Sequence, residues 1–167
     1  RKPVDISSFQ HLYPFTSHYI DLSGLRYHYI DEGQGEPIVM VHGNPTWSFY
    51  YRKLIQALSK RYRSIAPDHI GCGLSDKPGI TEYDYRLRSR IDDLDHLLDT
   101  LTTDEKITLI LHYWGGMIGM IYALRHLFHS PQADIDSNDG LPYLRIRKSH
   151  RSSGSHNPGI LKPFPLV

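Results

Sequence analysis

"LHYWGGMIGMIYALRH", residues 111–126, decides how this chain is read. The apolar run "KITLI" of residues 106–110 leads into it, and a stretch with helical spacing leaves it. Such a short, mostly apolar run reads as a buried strand. Gly115 and Gly116 let the following helix start close to the end of that strand, since no Cβ holds the two backbones apart. The residue at the bend is Tyr113.

Working back from this turn, the same alternation recurs. "HYIDLSGLRYHYIDEG" (18–33) pairs two β-prone runs across Ser23-Gly24 and reads as a hairpin. "PIVMVHG" (37–43) is a second buried strand ending at glycine, and "RSIAPD" (63–68) a third. Between these two, "SFYYRKLIQALSKRY" (48–62) spaces Tyr51, Leu54, Ile55 and Leu58 as a helix, with Ser48 as the expected N-cap. "DYRLRSRIDDLDHLLDTL" (84–101) places Leu87, Ile91, Leu94 and Leu98 on one stripe. Strands alternating with helices predict an α/β fold with a mostly parallel sheet and an N-terminal hairpin. Three loops, "HGNPTW" (42–47), "DHIGCGLSDKP" (68–78) and "HYWGG" (112–116), then share the C-terminal edge of the parallel strands. Open α/β sheets bind ligands at that edge.

Composition narrows the function classes. The 167 residues are 40% hydrophobic and 22% charged, with a formal net charge of +1, which favours neither a nucleic-acid nor a membrane surface. No apolar run approaches the roughly 20 residues of a membrane-spanning helix, and no signal-peptide pattern opens the chain. Cys72 is the single cysteine, so an internal disulfide is excluded and a reducing, cytoplasmic setting is expected. Arg1 in place of Met leads us to expect a chain already missing its true start. No cofactor and no metal are expected. The ordered domain is expected over residues 13–126. From Leu127 the periodicity fades into scattered Pro, Ser and basic residues, so 127–167 is read as an irregular or disordered tail.

The loops carry chemistry. Strand, tight turn and glycine-flanked helix make a nucleophile elbow, in which the central side chain stands clear of the sheet at the positive end of a helix dipole. An anionic nucleophile such as Asp is stabilised there, whereas a phenol keeps its proton at neutral pH. A bend of this kind commonly takes positive φ, which Asp and Asn tolerate better than bulky residues. Tyr113 therefore conflicts with both the backbone and the chemistry of its position. "HGNP" supplies the other half of an anion site: the amides of Asn44 and Trp114 can face one developing oxyanion. The Asn44 carboxamide and the Trp114 indole add two neutral donors, a set suited to halide or another small anion. Asp68 is expected to fix backbone amides, Ser75 to be structural because no elbow glycines come after it, and Cys72 to be a small buried residue.

"VHGNPTWSFYYRKLI", "IAPDHIGCGLSDKP" and "ITLILHYWGGMIGM", in this order, resemble the haloalkane dehalogenase branch of the α/β-hydrolase fold. "HGNPTWSFYYR" and "PDHIGCGLSDKP" are most similar to the β-lactone decarboxylases of bacterial olefin synthesis within it. The likeness covers the N-terminal half of such a domain, without the cap domain. It implies an Asp nucleophile at the position of Tyr113, and halide contacts from Trp114 and Asn44. It also implies a small hydrophobic substrate, a haloalkane or a β-lactone. In the family a carboxylate attacks carbon, and His-activated water then hydrolyses the ester formed. The family's acid and His lie beyond the elbow helix, where His129, His150 and His156 offer no strand-loop setting for a base. The expectation is thus an inactive fragment of a hydrolase. A lyase on the same scaffold and a non-catalytic anion-binding protein stand as alternatives. A reading-frame shift near residue 127 would account for the tail, since Asn138–Tyr143 back-translates into a family-like stretch in another frame. Without a strand beside it, "KITLILH" is expected to be an exposed apolar edge and the chain marginally stable.

Overall fold

The computed structural model describes residues 4–102, 106–129 and 144–147. A six-stranded sheet runs through it. Its strands are β1 (Ser17–Leu22), β2 (Leu25–Glu32), β3 (Pro37–Val41), β4 (Arg63–Pro67), β5 (Lys106–Leu111) and β6 (Leu144–Arg147). The spatial order is β1-β2-β4-β3-β5-β6. β4, β3 and β5 form a parallel centre, while β1-β2, β2-β4 and β5-β6 pair antiparallel. The expected α/β class and N-terminal hairpin are present, and the sheet is mixed because antiparallel strands flank the parallel centre on both sides. Ser23 and Gly24 take φ of 54° and 87°, the left-handed pair that a two-residue hairpin turn requires.

Side-chain alternation sorts the core into two layers. Val39, Val41, Ile65, Ile107 and Leu109 face α2 (Leu87–Leu101) and α3 (Trp114–His129), meeting Ile91, Leu94, Leu98, Ile118 and Tyr122. Ile38, Met40 and Ala66 face the other way, toward Tyr13 of the N-terminal segment, Tyr51 just before α1 (Arg52–Leu58) and Ile55 within it. Each fully buried aliphatic side chain here contributes about 1.5–3 kcal/mol relative to exposure. The stripe anticipated on α2 is the one that packs, with Leu87 at its partly buried end.

Three local expectations need correction. Ser48 does not cap a helix: it opens a 3₁₀ turn, Ser48–Tyr51, and its hydroxyl meets the Tyr13 hydroxyl at 2.5 Å. The buried phenol competes for the oxygen that a cap would use. Secondly, α3 continues past residue 126 to His129, and β6 lies within the segment read as irregular. β6 alternates Leu144 and Ile146 with two arginines over only four residues, too few for the period to show in sequence. Thirdly, β5 is not an open edge. Leu109 pairs with Leu144 and Ile107 with Ile146, and Ile146 is 1% exposed in the core. Asn138–Tyr143, His150 and His156 lie outside the described residues, and with them the frame-shift reading.

Candidate active site

The strand order reverses around β3: β4 lies on one side of it and β5, reached later in the chain, on the other. The loops leaving β3 and β5 therefore flank the switch point where α/β folds bind ligands. At the end of β5, Tyr113 takes φ of 54° and α3 starts at the next residue. This is a sharp strand-to-helix bend. The Gly115 N–H donates to the His112 carbonyl at 2.9 Å, and the Gly116 N–H to the Tyr113 carbonyl at 2.8 Å. The phenol side stands out of the sheet, 71% exposed. His112 anchors the bend from below, its N–H donating to the Val41 carbonyl at 3.2 Å. Its ring stacks on Tyr50 with centroids 4.2 Å apart.

Glycine is demanded by contact at this bend. A Cβ on Gly43 would stand 2.8 Å from the Trp114 nitrogen, the His112 carbonyl oxygen and the Tyr113 Cβ alike. The loop after β3 is thereby pressed against the first turn of α3, and Asn44 comes immediately next. Asn44, Tyr113 and Trp114, the three residues singled out in the sequence, thus belong to one locality at the C-terminal edge, and all three are exposed. Among the described residues, neither the Asn44 nor the Trp114 amide has a protein acceptor. The Asn44 carboxamide oxygen accepts the Cys72 S–H at 3.7 Å, which leaves its NH₂ free to turn toward another partner. Burial raises the Cys72 thiol, so it stays a donor and no reactive thiolate.

Beneath this edge sits a polar hub that sequence reasoning saw only in part. Asp68 is fully buried; its carboxylate accepts the amides of Ser48 at 2.7 Å and Leu74 at 2.8 Å, and meets His28 Nδ1 at 2.8 Å. Burial alone would raise this carboxyl, but the His28 hydrogen bond and charge, with the two amides, outweigh it and hold it below the ordinary value. The expected amide-fixing role of Asp68 matches this geometry. Ser75 is structural as anticipated: its hydroxyl donates to the Asp68 carbonyl and accepts the His28 N–H. His28 was missed, although a histidine within the β-prone run "LRYHYI" signals a buried polar partner. His42 and His69 were missed as well, and their rings lie 4.3 Å apart. Among the described residues no group of three or more His, Cys, Asp or Glu side chains could hold a metal ion.

A strand-turn-helix bend at positive φ, two free amides beside it and the parallel centre of a mixed sheet beneath define an α/β hydrolase scaffold. Residues 36–134 match the family model for the alpha/beta hydrolase fold, and the chain belongs to that family. It is 62% identical over 115 residues to a cis-3-alkyl-4-alkyloxetan-2-one decarboxylase of Shewanella oneidensis, covering 69% of this chain and 36% of the relative. To haloalkane dehalogenase 2 of Mycobacterium tuberculosis it is 42% identical over 121 residues, covering 72% and 41%. Among solved structures, the haloalkane dehalogenase DatA from Agrobacterium tumefaciens superposes with a TM-score of 0.59 at 33% identity, covering 66% of this chain and 36% of that one. An epoxide hydrolase from Vigna radiata gives 0.61 at 29% identity, covering 68% and 36%. The chain spans less than half the length of these relatives.

Proposed function

We propose that this chain is the N-terminal part of an oxetanone decarboxylase-type member of the family, and that it is catalytically silent as it stands. The single observation behind the silence is Tyr113 at the elbow, at φ 54° and 71% exposed. Attack on an electrophilic carbon at this place needs a nucleophile that is anionic at neutral pH. Tyr113 carries no carboxylate to attack such a carbon, so no oxyanion develops for the Asn44 and Trp114 amides to stabilise. The lyase reading is favoured over carbon–halogen hydrolysis by the 62% identity to the Shewanella oneidensis decarboxylase against 42% to the dehalogenase. The substrate class is then a small lactone with two alkyl arms, and loss of carbon dioxide from its four-membered ring leaves an alkene.

The Asn44 and Trp114 amides, both without a protein acceptor among the described residues, support an anion site in this reading, and the chain is expected to bind small anions without turnover. In the domain organisation we infer, residues 13–126 form the bulk of the half-domain, the last turn of α3 extends it to His129, and β6 closes the sheet beside β5. The test compares this chain with a Tyr113→Asp version fused to the C-terminal portion of the Shewanella oneidensis relative. Both are offered a 3,4-dialkyl-oxetan-2-one and a 1-bromoalkane. Alkene release from the fusion alone is expected. Turnover of either substrate by the unaltered chain would overturn the silent reading, and bromide release in preference to alkene would overturn the lyase reading.

A further inference from the structure

We propose that His42 is a positioning residue that aims the Asn44 amide at the elbow, with its tautomer set by the main chain of His69. This rests on the reading of the elbow edge as an anion site. Nε2 of His42 receives the His69 main-chain N–H at 3.0 Å. A peptide N–H can only donate, so Nε2 is the acceptor and the single proton of the neutral ring sits on Nδ1. Nδ1 lies 3.0 Å from the Gly43 carbonyl oxygen, which can only accept. The two hydrogen bonds demand the same tautomer.

The His69 ring closes the loop in the reverse direction. Its Nε2 lies 3.0 Å from the His42 carbonyl oxygen, so the ring proton is on Nε2. Its Nδ1 is left as a lone pair, and that is the buried atom found without a partner. Burial holds both rings below the ordinary histidine value, consistent with two neutral imidazoles.

The consequence falls on the next peptide. The Gly43 carbonyl also accepts the Thr46 N–H at 2.9 Å and the Thr46 hydroxyl at 2.7 Å. Three donors therefore clamp this oxygen on one side. The Gly43–Asn44 peptide is trans, since the cis bond in this loop is the one after it. In a trans peptide N–H and C=O point in opposite directions. A clamped Gly43 carbonyl thus sends the Asn44 N–H away from His42 and Thr46. Gly43 itself is packed against the elbow, where a Cβ on it would meet the Tyr113 Cβ and the Trp114 nitrogen. Preorganised donors of this kind are worth most where water cannot reorient them. His42 does not touch a bound anion and acts through the peptide.

Two variants separate positioning from simple packing. His42→Asn keeps a donor near the Nδ1 place and loses the acceptor toward His69, whereas His42→Gln keeps the acceptor and loses the donor. The unaltered, ¹⁵N-labelled chain is read first by long-range histidine spectra, then all three proteins by amide shifts during bromide titration. His42 is expected as the Nδ1–H form and His69 as the Nε2–H form. The Asn44 amide resonance should stay near its place in His42→Asn and move in His42→Gln, with bromide affinity at least tenfold weaker in the latter. An Nε2–H form of His42, or equal displacement of the Asn44 amide in both variants, overturns the proposal even if either variant folds poorly. If bromide moves no amide while the tautomers and the variant contrast hold, positioning stands and the anion-site reading falls.

Discussion

Gly115 passes so close to Val41 that a Cβ on it would stand 2.0 Å from that residue's carbonyl oxygen and 2.8 Å from the carbonyl oxygen of His42. Helix α3 is seated directly on the end of β3, and the elbow geometry depends on that contact. Gly115→Ala is therefore expected to cost about 3 kcal/mol or more, because backbone on both sides must move. Gly116 has nothing within 4 Å of its missing Cβ, and Gly116→Ala should be neutral or stabilising by about 0.5–1 kcal/mol through helix propensity. Urea unfolding of the two variants measures the contrast, and similar losses in both would argue against the seating.

Tyr113 holds a backbone conformation unsuited to a bulky residue while burying little of its ring. Tyr113→Asn should raise stability by about 1 kcal/mol, since Asn visits the left-handed region more readily. Tyr113→Asp should gain at least as much, with its charge at the start of α3. Thermal midpoints at neutral pH report this, and a lowered midpoint in both variants would deny strain at the bend.

Asp68 collects His28 and the amides of Ser48 and Leu74 in a fully buried place. Asp68→Asn puts an NH₂ against a group that can only donate, a loss of about 2–4 kcal/mol at pH 7. The wild-type pH profile is governed by the same hub. A carboxyl held low stabilises the fold above its unfolded value, and that contribution disappears as pH falls through the folded one. His42 and His69, also held low, add a loss that begins below about 6.5, where the unfolded chain takes up protons that the folded chain refuses. The urea midpoint should thus drop steadily from pH 7 to 5, and a flat profile would contradict the buried neutral pair.

Asp93 runs in the opposite sense. Burial lifts its carboxyl to about 6 despite the Tyr83 hydroxyl, which donates to it at 2.6 Å. A raised carboxyl costs stability above its folded value and nothing below its unfolded one. Asp93→Asn keeps an acceptor for Tyr83 and should add about 2 kcal/mol at pH 7, fading to nothing near pH 3.5. Denaturant melts at the two pH values test it; an equal gain at both would point to some other cause.

Ile146 is the link between β6 and the core. Ile146→Asp buries an unpaired charge and uncovers the β5 edge, so light scattering on gentle heating should show aggregation well before wild type. If the variant stays monodisperse, β6 contributes little to closing the sheet.

Local pattern carried most of the fold. The alternation along residues 18–33, the apolar runs at 37–41 and 106–111 and the stripe on 87–101 each record which face a residue buries, and that information lies within a few residues. The elbow was legible for the same reason: glycine spacing and one misfit residue at 113 are local. β6 escaped because four residues give two periods at most, and its partner lies more than thirty residues upstream. The amide-fixing role of Asp68 was legible from its loop, but its partners were not, because His28, Ser48 and Ser75 reach it across 40, 20 and 7 residues of chain. Which polar side chains share a buried site is decided by strand order and register. Those are set by the sum of many weak packing energies, and no single stretch of sequence records that sum.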